Sequence, residues 1–427
     1  MAKIKSAIDS AIRHLPRFVF GADDEHYEIQ PLTTYYMIIV PTVVLTIFGL
    51  MMGFSAQSVT SIAKGANPYM AYLRPSVIIV IALIIAFAVH KIPRHIFVRF
   101  APYAFGLGLI VQAMVITPLG RSEGGNANWV YLPGVPVLVQ PSEFLKLALI
   151  VFLAFILTGP NRDFSNWRQM SVLAGLPVVV TLIDVMLGHD LGTAMIVTAA
   201  AMGALWIAGL PKRWFGYAFV LAVPLLVFLV IQNPTRLRRI LVVLPGFAPK
   251  RDLSAPEQID HSLWAFGSGG VSGLGPGASR EKWNYLQAAH TDFIFAIVGE
   301  EFGLMGTLAV LTALALLVWG MFRLVRSTSD PFVAIVATGV ATWIGFQALV
   351  NIASVTQLGP VIGVPLPLVS YGGSSFLFTA LAIGVVASFA RSEAGMTMWG
   401  YSDPATRRRD PRFTPKLRRA GGSKARK

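Results

Sequence analysis

The chain has no cysteine and little charge, and each shortage narrows what it can be. Without a thiol among its 427 residues, a disulfide framework, a thiolate nucleophile and Cys-ligated zinc or iron–sulfur sites are excluded. Charged residues make up 13% and hydrophobic residues 55%, against about 25% charged in ordinary soluble domains; a single water-facing globule cannot bury that much apolar surface. The sequence also has no HExxH zinc motif, and no repeat at a fixed period that would point to an inverted-repeat transporter.

What it has is long apolar runs. About 15 to 20 residues cross some 30 Å of hydrocarbon as a helix, and ten runs of that kind are read at 35–54, 72–90, 101–119, 144–157, 172–187, 191–210, 214–231, 293–322, 332–350 and 372–390. The predicted fold class is an all-α polytopic membrane protein of ten transmembrane helices with both termini cytoplasmic. Residues 1–34 form an N-tail, 35–391 the membrane domain with a large extracytoplasmic loop at 232–291, and 392–427 a basic, disordered C-tail. The first run is too long for a signal-peptide core and reads as a retained anchor.

Charge sets the orientation. Of 35 Lys and Arg, 24 fall in segments this topology places in the cytoplasm and ten outside, counting Arg74 at the outer edge of the second run, with Lys146 inside a span, as the positive-inside rule requires. The C-tail holds Arg407, Arg408, Arg409, Arg412, Lys416, Arg418, Arg419, Lys424, Arg426 and Lys427; beside so much membrane it reads as an anchor to anionic lipid, not as a nucleic-acid arm.

Ionisable groups in membrane helices are costly and mark functional candidates. Glu143 and Lys146, in QPSEFLK, share one helical face. Two readings stay open for them: a structural ion pair, or the wall of a polar cavity that faces substrate. Asp190, in GHDLGT, suits the N-cap of the following span. His290 and Asp292 open AHTDFIFAIVGEEFG, with Glu300 and Glu301 about two turns deeper. Three carboxylates in ten residues are more than packing explains, although Asp292 also suits a cap. The His-x-Asp pair lacks a third ligand at metal spacing, so no metal centre is assigned.

The outer loop SLWAFGSGGVSGLGPGASREKW is rich in glycine, but no βαβ unit surrounds it, which excludes a dinucleotide fingerprint. Its glycines permit close approach of a bulky ligand or re-entrant turns. Arg236, Arg238, Arg239, Lys250, Arg251, Arg280 and Lys282 surround it, and guanidinium groups suit a phosphate-bearing ligand. In LGPVIGVPLPLVSYGGSSF, Pro360, Pro365 and Pro367 forbid a continuous helix, Gly372 and Gly373 permit a bend, and Ser370, Ser374 and Ser375 offer hydroxyls. The expectation is one outward-facing pocket in which Asp292 does chemistry and Glu143, Lys146, Arg239, His290, Ser370, Gly372 and Gly373 contact substrate.

Five segments, VQPSEFLKLALIVFLA, HDLGTA, HSLWAFGSGGVSGLG, YLQAAHTDFIFAIVGEEFG and PLPLVSYGGSS, together resemble in order and spacing the SEDS family (shape, elongation, division and sporulation), over roughly 35–391. Within it, Tyr285, Ala289, residues 298–301 and GFSAQSVTS resemble the cell-division type more than the elongation type. His189 departs from the family's usual Pro, and Gln287 with Ala288 from its Pro-Glu.

The resemblance implies a peptidoglycan glycosyltransferase acting at the septum, on the outer side of a bacterial cytoplasmic membrane. Its substrates would be lipid II and undecaprenyl-linked glycan. Its partners would be a class B penicillin-binding protein and other division proteins, with no nucleic acid. The family's essential acidic position falls on Asp292, and its polar-cavity Glu and Lys on Glu143 and Lys146. Charge on the leaving pyrophosphate would be met by Lys146, by loop arginines, or by a divalent cation, magnesium or manganese. A lipid II flippase, an elongation-type polymerase and an idle scaffold are the alternatives.

Overall fold

Prolines mark where the helices begin. Pro31, Pro68, Pro141, Pro234 and Pro331 each occupy the first helical position, and Asn67, Asn233 and Asp330 cap the free amides that follow; a first-turn proline gives up an N–H that would have had no partner in the helix. The computed structural model describes residues 30–401 apart from 64, 124–125, 132–137, 161, 163, 165, 244–256, 284–285, 287–290, 371 and 398–399. The first helix begins at Pro31, inside the expected N-tail, and the last runs on to Glu393, beyond which Met396–Thr397 pairs with Gly400–Tyr401; the rest of both tails, with His290, Lys250, Arg251, Tyr285 and 287–289, lies outside the described residues.

The order is α1 Pro31–Ala63, α2 Pro68–Val89, α3 Arg94–Ala113, strands β1 Gly120–Glu123, β2 Asn126–Tyr131 and β3 Leu138–Val139, α4 Pro141–Leu157, α5 Trp167–Leu187, α6 Leu191–Ile207, α7 Lys212–Ile231, the short α8 Pro234–Leu241, α9 Gln258–Gly269, α10 Ile294–Ser327, α11 Pro331–Val355 and α12 Gly373–Glu393. Eight of these are long and apolar enough to cross a membrane. The seventeen-residue α4 and α6 coincide with the fourth and sixth apolar runs. The antiparallel sheet β1-β2-β3 between α3 and α4 departs from an all-helical reading. It is a small hairpin extension in a polar, glycine-containing stretch with too few residues to carry a period-2 signal.

Large apolar side chains face outward along the bundle. Val40, Val44 and Ile47 on α1, Ile84 on α2, Ile110 on α3 and Leu221 on α7 are at least half exposed, and on α7 only Val230 is buried. A soluble monomer does not present so continuous an apolar surface; hydrocarbon is the solvent that suits it. The core is lined instead by α4, α11 and α12, whose inward positions include Leu145, Leu153, Trp343, Ile344, Ala382 and Val386.

The two ends of the bundle differ. At one, Arg94 pairs with Asp330 at 2.6 Å, Thr328 Oγ1 donates to Glu393, and Arg391 donates to the Lys91 carbonyl. Asp190, Gln140, Asp292 and residues 356–370 belong to the other.

At that second end α10 is interrupted at Gly303, whose φ of 62° is non-helical. Residues 270–275 enter the break. The Glu300 and Glu301 carbonyls accept from Leu274 N at 2.9 Å and Gly275 N at 3.0 Å, while Leu304 N and Met305 N donate to the Gly270 and Val271 carbonyls. Two carbonyls and two amides at the break are thus paired by the inserted loop, in keeping with what irregular backbone at membrane depth requires. Glycine is needed at the contact: a Cβ at Gly273 (φ 82°) would lie 2.2 Å from the Glu301 carbonyl oxygen. Gly273→Ala is therefore expected to destabilise the chain by about 2 kcal/mol or more, read as a lower melting temperature in detergent.

Candidate active site

Asp292 sits in the turn that leads into α10, half-buried. Burial pushes its carboxyl up to about 6, and the Arg239 guanidinium pulls in the opposite direction. What fixes this turn is α11. Along one stripe of that helix Gln347, Asn351 and Ser354 face residues 360–370, a strap that three prolines keep out of helical conformation. Asn351 Nδ2 donates to the carbonyl of Asp292 at 2.8 Å and to that of Val364 at 2.7 Å. Gln347 Nε2 donates to the Pro365 carbonyl, and Ser354 Oγ to the Pro360 carbonyl. Ser370 closes the arrangement from the far end of the strap: its hydroxyl donates to the Thr291 carbonyl at 2.6 Å and accepts from Leu366 N. The backbone on both sides of the Asp292 side chain is held, so the carboxylate points from a rigid support.

The strap comes close because of Gly363. Its φ is 79°, and a Cβ there would lie 3.4 Å from Asp292 Oδ2. Leu368 and Gln357, with φ of 63° and 62°, are non-glycine residues in the left-handed region, as is His189 at 60°. Strain of this kind survives where surrounding contacts over-determine it, and it concentrates at functional sites.

Glu143 and Lys146 lie at the start of α4, both almost fully buried. Lys146 Nζ donates to Glu143 Oε1 at 2.9 Å and to Gln347 Oε1 at 3.3 Å, and lies 4.5 Å from the centre of the Trp343 ring. Trp343 Nε1 donates to the same Gln347 oxygen. The pair therefore meets the stripe that holds the strap. Of the two readings of Glu143 and Lys146, a structural ion pair has the geometry.

Asp190 caps α6, accepting from Thr193 N at 2.9 Å and Thr193 Oγ1 at 2.6 Å. Asn128 of β2 donates to its second oxygen, which gives the sheet its role of joining the α6 cap. Arg239 is exposed on α8 and donates to the Val361 carbonyl at 3.2 Å.

Other expectations need correction. Glu300 accepts from Ser279 Oγ, Arg280 N and Glu281 N, and Glu301 accepts from Lys282 Nζ and Ser55 Oγ, each at 2.7 Å. These carboxylates bind the glycine-rich loop to α10 instead of lining a pocket, and Lys282, 4% exposed, is not available to a phosphate. Gly269 and Gly273 serve the close approach to α10, where a Cβ would meet the backbone of Gly299–Glu300 and of Glu301–Phe302. Gly372 and Gly373 meet only ordinary contacts, at 3.5 Å or more, so no tight packing requires them. Asp184, in the middle of the apolar α5, escapes a reading by motif; it is buried, and its Oδ2 has no hydrogen-bond partner among the described residues. Gln347 and Asn351 are missed for the same reason: single neutral amides in an apolar run carry no signal until their distant partners are known.

Among the described residues no three His, Asp or Glu side chains come together as a metal site.

Residues 35–395 match the FtsW/RodA/SpoVE family of cell cycle proteins. A Geobacter sulfurreducens protein named "Probable peptidoglycan glycosyltransferase FtsW" is 34% identical over 352 residues, 82% of this chain and 93% of that protein. Stage V sporulation protein E of Bacillus subtilis is 32% identical over 357 residues, 83% of this chain and 96% of its own. Among solved structures, a chain from work described as "Structural coordination of polymerization and crosslinking by a peptidoglycan synthase complex" is similar with a TM-score of 0.66 at 28% identity, covering 82% of this chain and 97% of that one. The rod shape determining protein RodA of Thermus thermophilus is similar with a TM-score of 0.60 at 25% identity, covering 86% and 98%.

Proposed function

The chain belongs to the FtsW/RodA/SpoVE family, and from that premise we infer that it is an FtsW-type peptidoglycan glycosyltransferase, polymerising lipid II during septal wall synthesis, with Asp292 as its general base. The observation that carries the assignment of the base is the support of Asp292: a half-buried carboxylate held through its own backbone by Asn351 and beside it by Ser370.

In this reaction Asp292 takes the proton from the C4 hydroxyl of the acceptor's N-acetylglucosamine. The oxygen attacks the anomeric carbon of the donor's N-acetylmuramic acid, and the bond to undecaprenyl pyrophosphate breaks with inversion. One carboxylate suffices, because the pyrophosphate leaves as an anion and needs no second carboxylic acid to protonate it, unlike the usual glycosidase pair. Arg239 offers positive charge near the departing phosphates. Glu143 and Lys146 act as positioning residues through Gln347. A magnesium or manganese ion carried by the pyrophosphate would add Lewis-acid stabilisation, and no step above depends on it.

The uncrosslinked product calls for a transpeptidase, and we propose a class B penicillin-binding protein; the similar chain from a complex that couples polymerisation to crosslinking supports this choice. We also propose that ten helices span the membrane, with Asp292 on the outer side, where lipid II arrives after export.

The base assignment predicts a pH profile. Asp292 must be ionised to accept a proton, so activity falls as the pH drops through about 6, well above the range of an ordinary aspartate. Arg239 favours the ionised form, so Arg239→Gln should move the acid limb of kcat/KM upward. An unmoved limb would mean that Arg239 does not act on the base. In a second prediction, Asn351→Leu removes the donor to the Asp292 carbonyl and should reduce kcat by about 10- to 100-fold with a smaller change in KM, measured on purified protein with its transpeptidase.

A further inference from the structure

A cavity of about 350 Å³ adjoins the surroundings of Asp292, sharing Arg239 and Val361 with them. Its size lies at the lower end of small-ligand sites. Three separate elements make its walls: α8, the start of α9, and the residues just after α11.

The charges in it largely cancel. Arg238 pairs with Glu257, and His261 is held through Nδ1 by Glu281 at 2.7 Å, with its ring edge-on to Trp264. Arg239, at the Asp292 end, forms no ion pair among the described residues. The remaining polar lining is the Thr235 hydroxyl and the Gln258 and Gln357 amides, groups that both donate and accept. Val242, Val243 and Ile259 supply apolar surface beside them. A neutral ring bearing hydroxyls and an acetamido group matches that mixture, whereas a polyanion would have to sit against the Glu257 carboxylate. Gln357 itself is held at a φ of 62°, where glycine would be relaxed. Gln357 directly follows the Thr356 cap of α11, where a left-handed residue ends the helix, and its amide lines the cavity.

We propose that this cavity is a saccharide subsite that holds the neutral amino sugars of the glycan strand, with Arg239 marking the end that faces the reacting centre. The proposal rests on the glycosyltransferase reading and names where the strand is gripped. It explains why polar groups from three elements gather beside the Arg239 end of the Asp292 site.

The test is direct binding, which requires neither lipid II nor turnover. A neutral tetrasaccharide of β-1,4-linked N-acetylglucosamine is titrated calorimetrically into the full chain in detergent, with inorganic pyrophosphate as a second titrant. The tetrasaccharide should bind the unmodified chain, and Gln357→Gly should weaken it by about five- to ten-fold, the worth of a lost hydrogen bond. The melting temperature of Gln357→Gly should stay the same or rise, since the substitution relieves strain, so loss of binding cannot be laid to misfolding. Thr235→Val should weaken binding similarly. Pyrophosphate binding that Gln357→Gly abolishes, with no tetrasaccharide binding, would make this an anion site and overturn the proposal. Tetrasaccharide affinity that neither substitution changes would overturn it too. Either result leaves the glycosyltransferase reading standing, because that reading fails only if the chain makes no polymer.

Discussion

Asp292→Asn is expected to lower lipid II polymerisation by a factor of about 10² to 10⁴, the usual worth of a positioned general base, while leaving the chain folded and able to bind its transpeptidase. The substitution keeps the shape of the side chain and removes its ability to take a proton. The contacts that hold the turn are made by the backbone carbonyls of Thr291 and Asp292, and Asn does not disturb them. Neutralising the carboxylate also removes the group that titrates near 6, so any residual rate should lose its acid limb. This pairing of a lost rate with a flattened pH profile separates a base from a residue that merely supports the fold. A cell carrying Asp292→Asn should localise the protein to the septum and fail to divide. Division at normal rate would favour the scaffold alternative.

The second large effect is on stability. Lys146→Met leaves Glu143 buried without its cation, and removing one partner of a buried pair typically costs about 3 to 5 kcal/mol. Both side chains are at most 3% exposed, so water cannot compensate the orphaned carboxylate, and Gln347 loses a donor to its Oε1 as well. The melting temperature in detergent should fall sharply. The double substitution Glu143→Gln with Lys146→Met removes the orphaned charge along with the ammonium and should recover most of the loss. Activity should not recover with it, because Gln347 would still lack the ammonium that orients it toward the Pro365 carbonyl. A single variant as stable as the unmodified chain would mean that the two groups do not form an ion pair.

The helices were legible in the sequence because hydrocarbon imposes a length that apolar runs must meet, and Pro141 and Asp190 announced two of the starts. Asp292 stands out as a candidate in the sequence because three carboxylates in ten residues are more than packing explains and because the family's essential acidic position falls on it. What could not be read is the stripe Gln347, Asn351 and Ser354: its partners lie on a strap whose irregular backbone has no periodicity, and the Asn351 bond to Asp292 spans 59 residues of sequence. Glu300 and Glu301 looked like further chemistry for the complementary reason. Their partners Ser279 and Lys282 lie in a loop whose glycines suggested a ligand. Only the break at Gly303 shows that two of them, Gly269 and Gly273, approach a helix backbone.

Irregular backbone thus appears twice at this end of the bundle, and each time a helix secures it: α10 through the loop that enters its break, and α11 through the amides that hold the strap. The first secures the loop that precedes Asp292, and the second secures Asp292 itself. A flippase must let such segments move so that a head group can pass, whereas a glycosyltransferase needs them fixed around a reacting hydroxyl. The density of these contacts favours fixed geometry.

The most direct measurement of the central claim is polymer formation where there is no membrane to cross. Detergent-purified chain bound to its class B transpeptidase is given lipid II, and products are separated by length. Glycan strands are the expected product, with release of undecaprenyl pyrophosphate. Lipid II left intact in detergent, together with its translocation when the same preparation is placed in vesicles, would contradict it and make the chain a transporter.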